Sequence, residues 1–574
     1  MLAPKVGQTV RSVGTPPAGV RVVELTNAAG AKVGIAAVHP RSTWDAMTAV
    51  KKITVRWNDA AFTAAIDSAA METRRRQLLA GPTGEIVVNN GDAPGTLAAT
   101  PSNRRITRTY SAPYLAHATM EVQNATALVT ADGRCKVWAP TQNPTGARTI
   151  AAAVTGFTPD KIEVETTYLG GGFGRRADNE YVRQAVQVAK EMPGTPVKLV
   201  WSREEDFTHD LHRPASLATF DASVDANGAL TALSTRVVCG HGKNSALEGL
   251  ALRDILYTLP SNWRVEFVQD SIEVPLGFWR SVGHSQNTFF LESFLDEIAA
   301  ATGKDPFTLR RELLSSDSDQ HRRARAVLDR LEALSGWGSP APSGRARGMA
   351  MTMGFGDTFV GQVAEVSGTS ATSLKVHKVT VVVDPGSSIN PDTVRAQMEG
   401  SVVEGLGAAW FNSVTFRSGT PVHRNFDSYR MLKMSEAPEI VTDIIESGAP
   451  MGGIGEPGLP PIAPAVANAF AKLTGNRMRS LPFASNSGGT TITPTPSITS
   501  FTPPSGPAGT VVTLTGVNFG GVTRVTFGGT TATFTAVSTT EIRATVPSRA
   551  RTGTIAVTTA AGTGTSATAF TVTR

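Results

Sequence analysis

The sequence predicts an α+β chain of several domains that ends in a small β-sandwich, and three observations carry that reading. The 574 residues are 41% apolar, enough to bury several cores and to suggest three or four domains. Strand-type and helix-type runs intermix from about residue 105 to 485, with helices following several glycine turns. Past a Ser/Gly/Thr/Pro stretch at 484–495 the composition switches to short runs of Thr, Val, Gly and Ala bounded by turn residues.

Taken in order, residues 1–57 read as a small α+β segment, with β-type runs at 20–25 and 52–57 around a helix-like 41–50. Residues 58–104 are alanine-rich, then turn-rich, and receive no placed element. Within them Arg74, Arg75 and Arg76 read as a solvated helix face, because no long apolar run follows to make a twin-arginine leader. The run 178–190 predicts a helix with Val182, Ala185, Val186 and Ala189 on one face, acids early and a lysine late. Its N-terminus points back at a glycine run, an arrangement suited to an anion. Residues 287–300 predict a second helix with Phe290, Leu291, Phe294, Leu295 and Ile298 in the core. Gly303 closes it, and Asp305 with Pro306 opens the next. A helix over 462–474 turns Ile462, Val466, Phe470 and Leu473 inward before Gly475. Glu456 precedes it closely, so the helix dipole predicts an ionised carboxylate, the state a general base requires. On these residues alone a charge that merely steadies the helix fits as well. The stretch 484–495 reads as a linker, and 496–574 as the sandwich.

The formal charge of +6 is small for this length and no Lys/Arg block occurs, which leaves nucleic-acid binding little support. Cys135 and Cys239 are too few and too far apart for an iron–sulfur site, a zinc ribbon or a disulfide framework. Any redox relay therefore belongs to a partner chain. No run approaches the roughly 18 apolar residues of a membrane span, and the first residues lack a secretory apolar core.

Four glycine-led stretches concentrate the chemistry: 169–174, 277–283, 397–405 and 453–458, the last holding Glu456. Each puts backbone amides where a bulky, anionic, multi-ring ligand can lie against them. The Gly-Gly-Gly-Phe-Gly run by itself also fits a structural tight turn. At that run neither a GxGxxG fingerprint nor a Walker A sequence is present, which disfavours a dinucleotide fold or a P-loop there.

Gly-Gly-Gly-Phe-Gly (170–174), Gly-Phe-Trp-Arg-Ser-Val-Gly-His-Ser-Gln-Asn (277–287), Val-Val-Asp-Pro-Gly-Ser-Ser-Ile-Asn-Pro-Asp (382–392), Gln-Met-Glu-Gly (397–400) and Gly-Ile-Gly-Glu-Pro-Gly (453–458) occur in the order seen in one family. In that order the chain resembles the molybdopterin-binding large subunit of the molybdenum hydroxylases, the xanthine dehydrogenase and aldehyde oxidase family. Tyr114 to Glu121 and Trp138 to Pro144 resemble its isoquinoline 1-oxidoreductase beta-subunit branch. The resemblance implies a multidomain molybdopterin-binding large subunit: a partial hammerhead-like segment over 1–57, a first molybdopterin-binding domain over 105–345 and a second over 346–483. It also implies a longer N-terminal region, often opening with a Tat signal, than this sequence begins with. Gly171, Gly172, Phe173 and Gly174 then line the metal and pterin, Phe278, Trp279 and Arg280 supply amides near the metal, Gln397 and Gly455 touch the cofactor, and Glu456 is the catalytic base. Arg280 and Gln397 fit equally as a buried ion pair and a satisfied core amide.

The implied cofactor is molybdenum-molybdopterin in its cytosine dinucleotide form. The implied reaction hydroxylates an N-heteroaromatic or aldehyde carbon with oxygen from water. Electrons pass to a small [2Fe–2S] partner subunit and, in this branch, to a cytochrome c subunit, and the periplasm is the family's compartment. Leu115 stands where xanthine enzymes place a glutamine and the xanthine-type substrate arginine and glutamate are not recognisable, which disfavours purine oxidation, and Arg175 and Arg176 are free to pair with phosphate or a partner's acids. His117 and His284 lie close to motifs, as pocket-shaping or purely structural residues. Residues 496–574, with Gly-Val-Asn-Phe-Gly at 516–520, resemble an IPT/TIG immunoglobulin-like domain, a docking module or a passive spacer. A non-catalytic hydroxylase fragment acting through that domain as a binding or structural protein stays open as the alternative.

Overall fold

The computed structural model describes residues 1–82, 84–240, 252, 255–271, 274–483, 496–517, 519, 521–538, 540–559 and 562–573. The expected linker at 484–495 lies outside the described residues, as do Asn518 and Gly520 of the sandwich motif. The chain forms two compact units, Met1–Ser485 and Asn486–Arg574.

The first unit opens with the expected α+β segment. Thr9–Val13 pairs antiparallel with Val55–Asn58, Arg21–Thr26 pairs with Lys32–Val38, and between them lies the helix Thr43–Val50, whose N-cap Ser42 accepts from the Asp45 N–H. A four-stranded sheet follows in the order Val197–Val200, Asn124–Val129, Cys135–Ala139, Ile162–Thr166. The helix Glu180–Lys190 buries Val182, Ala185, Val186 and Ala189 against it, the face read from the sequence, although the helix starts at Glu180 after a separate 3-10 turn at Arg175–Ala177.

Residues 58–104 hold the helix Ser68–Ala80, the strand Glu85–Asn90 and the helix Ala93–Ala99. That strand is the edge of a five-stranded sheet completed by Asn262–Asp270, Leu230–Gly240, Ser216–Val224 and Arg105–Ala112. The arginine-rich face is solvated only in part: Arg75 turns inward, its Nη1 lying 3.3 Å from the Tyr114 hydroxyl and 3.6 Å from Asp270 Oδ2. A buried carboxylate at Asp270 needs counter-charge, and Arg74 and Arg75 both supply it.

A second four-stranded sheet runs Arg345–Gly354, Thr358–Ser367, Lys375–Asp384, Glu439–Ile444, its last pair parallel. Between the two large sheets lies the helix His284–Thr302, longer than the predicted 287–300 and enclosed on every side: all residues from Ser285 to Ala299 are buried. Phe289 and Phe294 pack against Tyr110 and Phe220, while Glu292 accepts the Met351 N–H and its carbonyl accepts from Asn468. The predicted stripe is thus part of a fully enclosed helix. Gly303 in the left-handed region and the Asp305 cap with Pro306 end and restart the chain as read, and Ile462–Thr474 with Gly475 is the predicted last helix. Among the described residues no helix is long and apolar enough to cross a membrane.

In the second unit the strands pair in the order Ser497–Thr502, Val511–Val517, Glu541–Thr545, Thr530–Ala536, Arg524–Phe527, Gly553–Thr559, Gly562–Val572, Ser505–Gly506, around a core that includes Leu514, Phe519, Phe527 and Phe570. This is the β-sandwich expected from its short runs of Thr, Val, Gly and Ala bounded by turn residues.

Candidate active site

The four glycine-led stretches converge. Gly174 has φ of 104°, and a Cβ there would lie 1.9 Å from the Phe278 carbonyl oxygen, so only glycine lets the first stretch press its backbone onto the second. The second meets the fourth through Ser281: its N–H donates to Glu456 Oε1 at 3.1 Å and its hydroxyl to the Glu456 carbonyl at 2.7 Å. Arg280 ties in the third. Its Nε donates to the Gly455 carbonyl at 2.7 Å, one Nη to Glu404 Oε2 at 2.7 Å and the other to Gln397 Oε1 at 2.8 Å. Gln397 and Glu404 lie on the helix Pro391–Trp410, whose Asn390 cap accepts the N–H groups of Asp392 and Thr393. Gly458 rests on the same helix, where a Cβ would meet Met398 and Ser401 at 2.9 Å.

Side chains that the sequence reading left out hold the first loop. Gln142 Oε1 accepts the N–H groups of Gly174 at 3.2 Å and Arg176 at 3.3 Å, and a Cβ on Gly172 would collide with it at 2.6 Å. Arg176 donates to the carbonyls of Gly171, Pro140 and Glu121 and pairs with Glu121 Oε2 at 3.0 Å. Arg175 pairs with Glu180 and, at 3.0 Å, with Asp210. Both arginines are fully buried, which corrects the expectation that they face a phosphate or a partner's acids. They are internal clamps, because a loop of consecutive glycines has no side chains with which to fix itself.

Burial acts on Glu456 in the direction opposite to the helix dipole read from the sequence. Burial raises its pKa, against the opposing pull of the Ser281 N–H and the Arg280 charge. The helix dipole does not reach it: the helix begins at Ile462, six residues on, and the field falls off within about one turn. Glu404 is likewise raised by burial, with Arg280 working the other way. Arg280 and Glu404 are thus the buried ion pair named as an alternative, and the same guanidinium orders Gly455 and Gln397.

Three non-glycine residues of these stretches, Phe173, Ser281 and Val282, sit at positive φ (56°, 74° and 47°), strain of the kind that clusters at functional sites. The backbone N–H groups of Gly171, Gly172, Phe173, Trp279, Arg280 and Gly455 donate to no acceptor among the described residues, although Gly172, Trp279 and Arg280 are buried. Buried donors left unpaired are rare and call for an acceptor. A Cβ on Gly455 would meet nothing within 4 Å, so the Glu456 loop faces open space. Donors, room and a half-buried carboxyl fit a large oxygen-rich cofactor. Leu115 is fully buried with Trp279, Ala408 and Leu459, so the position lacking the glutamine is an apolar contact. His284 heads the central helix and packs on Phe355, whereas His117 lies within the site.

Residues 80–314 and 344–438 match molybdopterin cofactor-binding domain models, and residues 496–572 match the IPT/TIG domain. The isoquinoline 1-oxidoreductase subunit beta of Brevundimonas diminuta is 32% identical over 381 residues, covering 64% of this chain and 48% of that protein. The membrane-bound aldehyde dehydrogenase [pyrroloquinoline-quinone] of Gluconacetobacter polyoxogenes is 28% identical over 447 residues, covering 72% and 57% respectively. The chain therefore spans about half the length of these relatives. The crystal structure of quinoline 2-oxidoreductase from Pseudomonas putida 86 shares the fold, with a TM-score of 0.70 at 15% identity over 84% of this chain and 92% of that one. With two molybdopterin cofactor-binding domains and a shared fold, the chain belongs to the molybdopterin-binding large subunits of the molybdenum hydroxylase family, as a homologue of the isoquinoline 1-oxidoreductase beta subunit that carries an IPT/TIG domain.

Proposed function

We propose that this chain is the catalytic subunit of an oxidoreductase that hydroxylates an electron-poor carbon of an N-heteroaromatic or an aldehyde, taking oxygen from water and passing two electrons to an iron–sulfur partner subunit. One observation carries the reading: Glu456 is bonded to the second glycine-led stretch, which also contacts the first and the third, near backbone donors with no acceptor among the described residues. When bound, a molybdenum–pterin cofactor, in its cytosine dinucleotide form, supplies the two-electron acceptor and the centre at which water is activated. The N–H groups of Gly171, Gly172, Phe173, Trp279, Arg280 and Gly455 are the donors that would hold it, with Phe278 and Gly174 setting their spacing. Arg280 takes Gln397 Oε1, which leaves that side chain's amide nitrogen as a further donor.

Glu456 is the proton acceptor. Its Oε1 is held by the Ser281 N–H, and Oε2 has no hydrogen-bond partner among the described residues. A raised pKa makes the ionised carboxylate a stronger base, at the cost of ionising later. The net reaction adds one oxygen from water and releases two protons and two electrons. With only Cys135 and Cys239 in the sequence, the electrons leave through a [2Fe–2S] cluster on a partner subunit and then a cytochrome c subunit.

The test is metal analysis of the chain co-purified with a [2Fe–2S] subunit from cofactor-replete cells, and turnover of Glu456→Gln. Stoichiometric molybdenum in both proteins, with turnover reduced about 10²- to 10⁴-fold in the variant, is expected. Absence of molybdenum overturns the cofactor assignment; unchanged turnover overturns the base.

A further inference from the structure

His117 lies between two acceptors. Its Nδ1 is 2.8 Å from Asp210 Oδ1 and its Nε2 is 2.6 Å from the Phe278 carbonyl oxygen. Asp210 also pairs with Arg175 at 3.0 Å, a permanent charge that favours its ionised form. It also accepts the backbone N–H groups of His117 at 2.6 Å and Leu211 at 2.8 Å. A carbonyl oxygen has no proton to give. Both ring nitrogens must therefore carry hydrogen, which only the imidazolium does.

The neighbouring charges agree with a cation there. Asp210 is shared with Arg175 of the first glycine loop, and Glu404 comes from the helix Pro391–Trp410. The next histidine, His212, is pushed by burial down to about 4 and adds no charge. Arg175, Asp210, His117 and the Phe278 carbonyl thus form an unbroken polar chain from the first loop to the second, where Gly174 touches the same oxygen.

We propose that His117 is a positioning residue, held as a buried imidazolium between Asp210 and Phe278, which fixes the Phe278–Trp279 peptide and so leaves the Trp279 N–H to an acceptor on the bound cofactor. The peptide is planar, so fixing its carbonyl fixes the opposed N–H as well. The cofactor half of this inference rests on the proposed function; the imidazolium half does not.

Two measurements separate them. In the full chain produced without cofactor and labelled with ¹⁵N-histidine, nitrogen-15 NMR at pH 7.5 is expected to show one buried ring with both nitrogens protonated, absent from His117→Gln. If the ring lost in His117→Gln has one bare nitrogen, or if the doubly protonated ring survives the substitution, the imidazolium is overturned whatever the protein catalyses. In the co-purified complex, His117→Gln keeps an N–H for the Phe278 carbonyl and is expected to retain molybdenum within about twofold, whereas His117→Ala loses about tenfold or more. Equal retention in both variants, or equal loss, overturns the positioning role, while a parent protein without molybdenum overturns the proposed function and leaves the NMR result standing.

Discussion

Substituting alanine for Gly174 separates two costs that usually travel together. Gly174 sits at φ of 104°, and its added Cβ would lie 1.9 Å from the Phe278 carbonyl oxygen and 2.6 Å from its carbon. Backbone strain alone costs about 1–2 kcal/mol for an L-residue at positive φ. A carbon–oxygen contact needs more than 3 Å, so the two loops must also part by over 1 Å, and a misplacement of about 1 Å can cost about 10²-fold in rate. Gly303 is the control: it has φ of 70° with nothing within 4 Å of its Cβ, so Gly303→Ala bears the strain without the collision. Urea unfolding midpoints and molybdenum per chain by mass spectrometry read the two costs. Gly303→Ala is expected to lose about 1 kcal/mol and keep its metal, while Gly174→Ala loses roughly 2–4 kcal/mol and most of its metal. If the two variants unfold alike and both retain molybdenum, the close approach of these loops does not build the site.

Two further outcomes follow from buried charge. Glu292 and Arg310 pair at 2.8 Å with both side chains almost wholly enclosed, so Glu292→Ala, which strands the guanidinium, should destabilise by about 3–5 kcal/mol, and adding Arg310→Met should restore much of it; equal midpoints for single and double variants contradict this. Burial holds the Glu456 pKa above 4.5, so kcat/KM should rise with pH along an acid limb lying above that value and missing from any residual activity of Glu456→Gln. A carboxyl harder to ionise when folded subtracts stability once pH passes its unfolded value, so Glu456→Gln should equal or exceed the parent at pH 7, the difference vanishing below about pH 4 in thermal melts.

What could be read from the residues was whatever depends on local pattern. Glycine runs betray close backbone approach, periodic apolar residues betray Glu180–Lys190 and Ile462–Thr474, and short runs of Thr, Val, Gly and Ala bounded by turn residues betray the sandwich. Arg74 to Arg76 read as a helix face, but the extent of the helix Ser68–Ala80 hid because only Met71 and Arg75 are buried, which leaves almost no apolar period to detect. Gln142, Glu404 and Asp210 escaped notice because each acts across a long sequence separation, and a lone polar residue carries no spacing signal. The upward push on the Glu456 pKa was hidden for a related reason: proximity to a helix start is visible in sequence, whereas desolvation by burial is a tertiary fact. Arg280 was read both as a cofactor-loop residue and as an ion pair, and its five donors let it orient Gly455 and Gln397 while neutralising Glu404.

The enclosed helix His284–Thr302 also sets a schedule for biosynthesis. Its sheath comes from both directions along the polypeptide, since Tyr110 and Phe220 are made before it and Met351 and Asn468 well after. A ribosome that has released only the segment matching the first molybdopterin cofactor-binding domain holds this helix with half its wrapping, a client for chaperones. Splitting the gene near residue 340 should therefore yield two insoluble halves, and metal insertion must wait until translation has passed the last helix.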